Sequence, residues 1–266
     1  MANVYDMIPP RAEVKEYLDG LCARYNCTAF IDDDPVSVPH RFERPEDIEI
    51  AGFLAATIAW GQRPTIVRNA RRMVELMDYA PWQFVMQSEA EDWDTLRPFV
   101  HRTFNGDDFV YFVRALQRFY RSQGGLGEFF RAGYRQHGDL RPVLSDFRRE
   151  FFAPELEPQP RTMRHLSSVD RGAACKRLNM FLKWMVRRDD RGVDFGLWGD
   201  AIPASALYLP LDVHTANTSR MLGLLSRRQN DWRAVEEVTA VLREFDPDDP
   251  VRYDYALFCA GIYKEL

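Results

Sequence analysis

Leu209-Pro210-Leu211-Asp212-Val213-His214 runs into Thr215-Ala216-Asn217-Thr218-Ser219 and closes on Arg220-Met221-Leu222-Gly223-Leu224. An apolar lead-in, then an Asp, then small and apolar residues at helical spacing predict a helix that starts at Asp212. The Asp side chain accepts from the open N–H groups of the first turn, and its charge suits the positive end of the helix dipole. Gly223 is the expected stop. Asp212 is thus a carboxylate on a rigid mount. Most Asp residues at helix starts are only caps, and the same mount also suits the fixed acid of a reaction site.

Outward from this stretch the chain reads as helical. Helices are expected over 11–25, from Pro45 onward, over 64–79, 107–122, 126–136, 139–152, 173–188, 231–244 and 250–262. Pro45 with Glu46 and Asp47 is a good first turn. The very apolar run from Ile50 to Ala59 marks that helix as central to the core. Gly61 breaks it, and Arg68, Arg71 and Arg72 face outward on the next helix. No strong two-residue hairpin signal separates alternating apolar runs. Pro154 to Pro160 reads as a surface loop.

The chain has 266 residues, 46% hydrophobic and 13% aromatic, enough for a large core in one domain or two lobes. No run approaches membrane-spanning length, and the start lacks signal-peptide regions, so a cytoplasmic protein with no membrane partner is expected. Cys22, Cys27, Cys175 and Cys259 form no metal-binding pattern. The net charge of −5 argues against nucleic acid. However, nine Lys or Arg and only three Asp lie between Arg161 and Arg191, which makes that window +6. Such a segment is either a phosphate-binding face or a solvated helix surface.

The segment PLDVHTANTSRMLGL resembles the surroundings of the catalytic Asp in the helix-hairpin-helix DNA glycosylase superfamily, which includes endonuclease III and the 8-oxoguanine DNA glycosylases. Asp212, His214, Arg220 and Gly223 stand in matching places. Nearly the whole chain is also similar to an uncharacterised bacterial family distantly related to that superfamily, closest to its archaeal 8-oxoguanine branch. The resemblance implies an all-α, helix-hairpin-helix glycosylase-like fold of two helical lobes with a cleft between them. One lobe would span 45–187 as a central helical barrel. The other would be discontinuous, 1–44 plus 188–266.

The resemblance also assigns roles. Ala174-Cys175-Lys176-Arg177-Leu178 matches the start of the helix that carries the catalytic Lys, so Lys176 is the expected nucleophile and Asp212 its acid partner. Lys183, two turns on, is the reserve nucleophile. The separation of 36 residues between Lys176 and Asp212 exceeds that of endonuclease III. The hairpin before Lys176 (Leu166-Ser167-Ser168-Val169-Asp170-Arg171-Gly172) has one Gly where the superfamily usually has two. Ser167, Ser168, Arg171, Gly172 and Arg177 are the expected DNA-backbone contacts. Trp60, Gln62 and Arg63, in a stretch similar to a barrel helix and its wedge turn, are candidates for the base pocket or the wedge that fills the gap of a flipped base. Asp254 and Phe258 near the C-terminus, and His214 as an orienting residue, complete the pocket candidates. Trp60, Phe258 and their neighbours also read as ordinary core.

The implied activity is excision of an oxidised purine such as 8-oxoguanine from double-stranded DNA, with Schiff-base (AP lyase) chemistry. No redox cofactor or metal is called for; a monovalent cation at the hairpin carbonyls is the one ion implied. A non-catalytic DNA-binding protein of the same fold is a second reading. A helical protein that binds or processes a small nucleoside-like ligand is a third.

Overall fold

The computed structural model describes residues 10–263 and is built almost wholly of helices. In chain order they are α1 (Arg11–Tyr25), α2 (Pro45–Thr57), α3 (Arg63–Glu75), α4 (Pro81–Gln87), α5 (Ala90–Trp93), α6 (Gly106–Gln123), α7 (Leu126–His137), α8 (Leu140–Phe151), α9 (Lys176–Val186), α10 (Val213–Met221), α11 (Trp232–Phe245) and α12 (Tyr253–Tyr263). The described strands are β1 (Val100–His101) and β2 (Phe104–Asn105), an antiparallel hairpin. The sequence carries no Asn-Gly or Asp-Gly signal for this turn. Arg102 takes the left-handed conformation instead, at φ 55°.

The contacts divide the chain into two units. One takes in the described chain up to Phe30, Val169–Gly199 and everything described from Pro203 on. The other takes in Ile31–Ser168 and Asp200–Ile202. The divisions thus fall at 30/31, 168/169, 199/200 and 202/203, where the sequence suggested 44/45 and 187/188. The reason lies in packing. The turns at Pro35–Ser37 and Pro39–Arg41 lie against α2, which draws residues from 31 onward into its unit. α9 is tied to α12 by Lys183 and Asp254, which places it in the discontinuous unit.

The middle unit is organised by α2. Pro45 fills its first position, Glu46 and Asp47 its first turn, and every residue from Ile48 to Thr57 is buried. Phe53 stacks on Phe112 of α6 at 5.9 Å and meets Phe147 and Phe151 of α8 edge-on. A reciprocal cap opens α6, with Asn105 accepting from the Asp108 N–H and Asp108 from the Asn105 N–H. Left-handed Gly124 ends it.

The discontinuous unit is held by α12, against which both α1 and α10 pack. Gly261 permits that approach. A Cβ there would lie 2.9 Å from Thr218 Oγ1 and 3.3 Å from His214 Cβ of α10.

Candidate active site

Asp212 N-caps α10 as its position predicts: its Oδ1 accepts from the Thr215 N–H at 3.0 Å. The lead-in is anchored, since Leu209, Pro210 and Leu211 are buried and the Leu209 N–H donates to Thr239 Oγ1. The helix closes at Gly223, φ 70°, with the Leu224 N–H donating to Ser219 O. Arg220 then ties down the following loop, its guanidinium donating to the carbonyls of Arg227 and Arg228 and to Asn230.

Lys176 is the first residue of α9. The approach to it is not a helix. Thr162–His165 and Val169–Arg171 are single 3₁₀ turns, followed by left-handed Gly172 (φ 77°) and Cys175 (φ 49°). Backbone pairing fixes the loop: Ala173 bridges to Asp231, and the Trp232 N–H donates to Gly172 O. Asn179 reaches back one turn and donates to Ala174 O. The result sets Lys176 Nζ 3.9 Å from Asp212 Oδ2, each side chain 24% exposed. The amine also rests 3.5 Å from the thioether of buried Met180. Sequence reasoning passed over Met180 because an apolar residue one helical turn from a Lys looks like plain core.

Lys183 has a different environment. It is buried, donates to Asp254 Oδ2 at 2.6 Å and lies 3.6 Å from the centre of the Tyr255 ring. Burial would lower its pKa, but Asp254 and Asp194 outweigh that and raise it, so the amine is held protonated. A protonated amine has no lone pair to attack with, so this geometry does not support the reserve role. Asp254 is correspondingly engaged with Lys183. Arg187 extends the network: its buried guanidinium meets Asp249, Asp194 and Asp189 at 2.7–3.0 Å. Two buried cations here answer four carboxylates.

The +6 window is therefore not one continuous face. Lys183 and Arg187 are buried and neutralised, Arg161 pairs with Asp108, and the stretch is split between the two units. Of the expected backbone contacts, Arg171 is exposed, Ser167, Gly172 and Arg177 are half-buried and Ser168 is buried. Leu166 O accepts from the Arg148 guanidinium, Val169 O from the Gly172 N–H and Gly172 O from the Trp232 N–H. Each of these carbonyls thus already accepts one hydrogen bond, that of Leu166 from a cation. Among the described residues, no group of three or more His, Cys, Asp or Glu is placed to hold a metal ion. No described helix is long and apolar enough to cross a membrane.

The remaining candidates divide between the units. His214 is exposed on α10, and half-buried Phe258 meets Phe30 edge-on at 6.5 Å. Trp60, Gln62 and Arg63 belong to the other unit from Lys176 and Asp212. There Trp60 stacks on His165 at 5.9 Å and meets His101 edge-on at 4.9 Å. Gln62 is exposed beside the start of α3, and Arg63 lies 3.8 Å from Asp34.

The fold and site define a helix-dominated protein with a quarter-exposed Lys–Asp pair mounted on two helix starts. The chain belongs to the family described as a protein of unknown function (DUF2400), whose match covers residues 34–263. No curated protein and no solved structure matches it.

Proposed function

We propose that this chain is a DNA glycosylase of the helix-hairpin-helix type, in which the first arm of the hairpin is reduced to 3₁₀ turns. Its substrate would be double-stranded DNA carrying an oxidised purine such as 8-oxoguanine, and its nucleophile Lys176. The observation that supports this reading most is the pairing of Lys176 Nζ with Asp212 Oδ2 at 3.9 Å. The two oxygens of Asp212 have separate tasks. Oδ1 is committed to the Thr215 N–H, which fixes the carboxylate, while Oδ2 faces the amine.

The chemistry follows from that division. Lys176 Nζ gives a proton to Asp212, and the lone pair so freed attacks C1′ of the damaged nucleotide. A new C1′–N bond forms, and the bond to the base breaks with its electron pair leaving on the base. Asp212 passes its proton to the departing base. Opening of the sugar ring gives a Schiff base between C1′ and Nζ. Loss of a C2′ proton then expels the 3′ phosphate, and water releases Lys176. The closeness of Asp212 also stabilises positive charge on the sugar as the base departs.

Borohydride trapping on duplexes carrying 8-oxoguanine or an abasic site tests this. Reduction of the Schiff base gives a covalent protein–DNA adduct. The adduct is expected with the wild type, absent with Lys176→Ala and retained with Lys176→Ala complemented by wild-type protein in the same tube. No adduct on either duplex overturns the amine mechanism.

A further inference from the structure

α3 presents Ile66, Val67, Ala70, Met73 and Val74 to the core and leaves its arginines outside. An open groove of about 840 Å³ runs along that outer side, lined by Arg41, Arg63, Arg68, Arg71 and Arg72. Asp32, Asp33 and Glu75 also line it. Glu75 is taken by Arg72 at 2.9 Å. Among the described residues, exposed Arg68 and Arg71 have no carboxylate partner. They stand three apart on one helix, which makes them neighbours on its surface.

An aromatic ring lines the same groove. After α3 the chain turns through Asp78 and Tyr79, both left-handed at φ 52° and 53° although neither is Gly. Hydrogen bonds from the Tyr79 N–H to Val74 O and from the Ala80 N–H to Met77 O hold the turn. Consecutive left-handed residues with side chains are costly. Here the turn leaves Tyr79 51% exposed, with the Arg41 guanidinium 5.5 Å from its ring centre.

We infer that this groove binds a single strand of nucleic acid, with phosphodiesters on Arg68 and Arg71 and a base against Tyr79. Unpaired guanidiniums suit a line of phosphates, and an exposed ring suits an unstacked base, which a duplex does not offer. Asp32 and Asp33 oppose phosphate and confine it to the arginine side. The inference rests on the DNA-directed reading above for its ligand class, but on none of the atoms of the Lys176 site.

The experiment is fluorescence anisotropy of a labelled oligothymidylate with the full chain across a salt series, each variant first shown by circular dichroism to be folded. The paired change Arg68→Glu and Arg71→Glu is expected to weaken binding by tenfold or more. It should also flatten the log–log salt slope by about 1.4, from two phosphate contacts at about 0.7 each. Tyr79→Ala is expected to weaken binding several-fold without altering the slope. Asp32→Asn with Asp33→Asn is expected to tighten it. A folded Arg68→Glu, Arg71→Glu variant that binds like the wild type overturns the inference, as does a wild type with no affinity at low salt. Borohydride trapping separates the two proposals. Groove-dependent binding without any adduct overturns the amine mechanism alone, and an adduct with groove-independent binding sinks this inference alone.

Discussion

Lys183 Nζ lies 2.6 Å from Asp254 Oδ2 in the interior, whereas Lys176, seven residues earlier on α9, meets Asp212 at a quarter exposure. The same residue type on one helix therefore carries two different energetic roles. Removing one partner of a buried ion pair strands the other and costs roughly 3–5 kcal/mol, while an exposed pair is worth about 0–1 kcal/mol. Lys183→Ala is expected to lower the unfolding free energy in urea by several kcal/mol, and Lys176→Ala by about 1 kcal/mol at most. Because the folded pKa of Lys183 is raised, its contribution is complete below the unfolded value and fades as pH rises through the folded one. Equal, small losses for the two variants would show that Lys183 is not a structural ion.

Asp212 has a capping duty and a proposed chemical duty, and two substitutions separate them. Asn caps a helix as well as Asp, so Asp212→Asn should leave stability within about 0.5 kcal/mol while abolishing the borohydride adduct. Asp212→Ala should cost about 1 kcal/mol in addition, because the Thr215 N–H loses its acceptor. Thermal melts alongside trapping give both readings. An active Asp212→Asn would remove the carboxylate from the mechanism.

Much of this was legible from local signals. The cap at Asp212, the Pro45 helix start and the stop at Gly223 each rest on one residue acting on its immediate backbone, and the structure shows each of them. Long-range pairing was not legible. The buried network of Lys183, Arg187, Asp194, Asp249 and Asp254 joins residues up to 71 positions apart, and in sequence its two cations read only as part of a basic segment. The hairpin at Val100–Asn105 was equally hidden. Its turn uses Arg102, a residue with no intrinsic preference for the left-handed region, and is stabilised by packing around it.

Asp108 gives a pH-dependent stability with a defined sign. It is fully buried, and burial alone would raise its pKa. His165, the Asn105 N–H and Thr162 donate to it and outweigh burial, holding it at about 2. A depressed folded pKa contributes stability above the unfolded value near 3.8 that is lost as pH falls through 2. The difference corresponds to about 2 kcal/mol. Asp108→Asn is therefore expected to destabilise by about 2 kcal/mol or more at pH 7. The gap from the wild type should narrow progressively below pH 4. Urea titrations at pH 7, 4 and 3 measure it, and a gap that stays constant would remove Asp108 as the titrating group.

The turn between α2 and α3 is held from the hairpin side by three contacts. The His101 ring satisfies two of them in its neutral form, with Nε2–H donating to Trp60 O at 3.1 Å and Nδ1 accepting from the Asn69 amide at 2.9 Å. The third is at Gly61, φ 107°, whose bare face is covered by Arg102. A Cβ there would sit 2.7 Å from the Arg102 guanidinium. Gly61→Ala meets both an unfavourable backbone conformation and that contact, and should cost more than about 1 kcal/mol. Because the Arg102 side chain can swing away, the backbone contribution should dominate. The double change Gly61→Ala with Arg102→Ala is then expected to recover only the smaller, steric part. A double variant restored to wild-type stability would instead assign the whole cost to the Arg102 contact. In that case Gly61 is required for space at the Trp60 turn and not for its left-handed backbone.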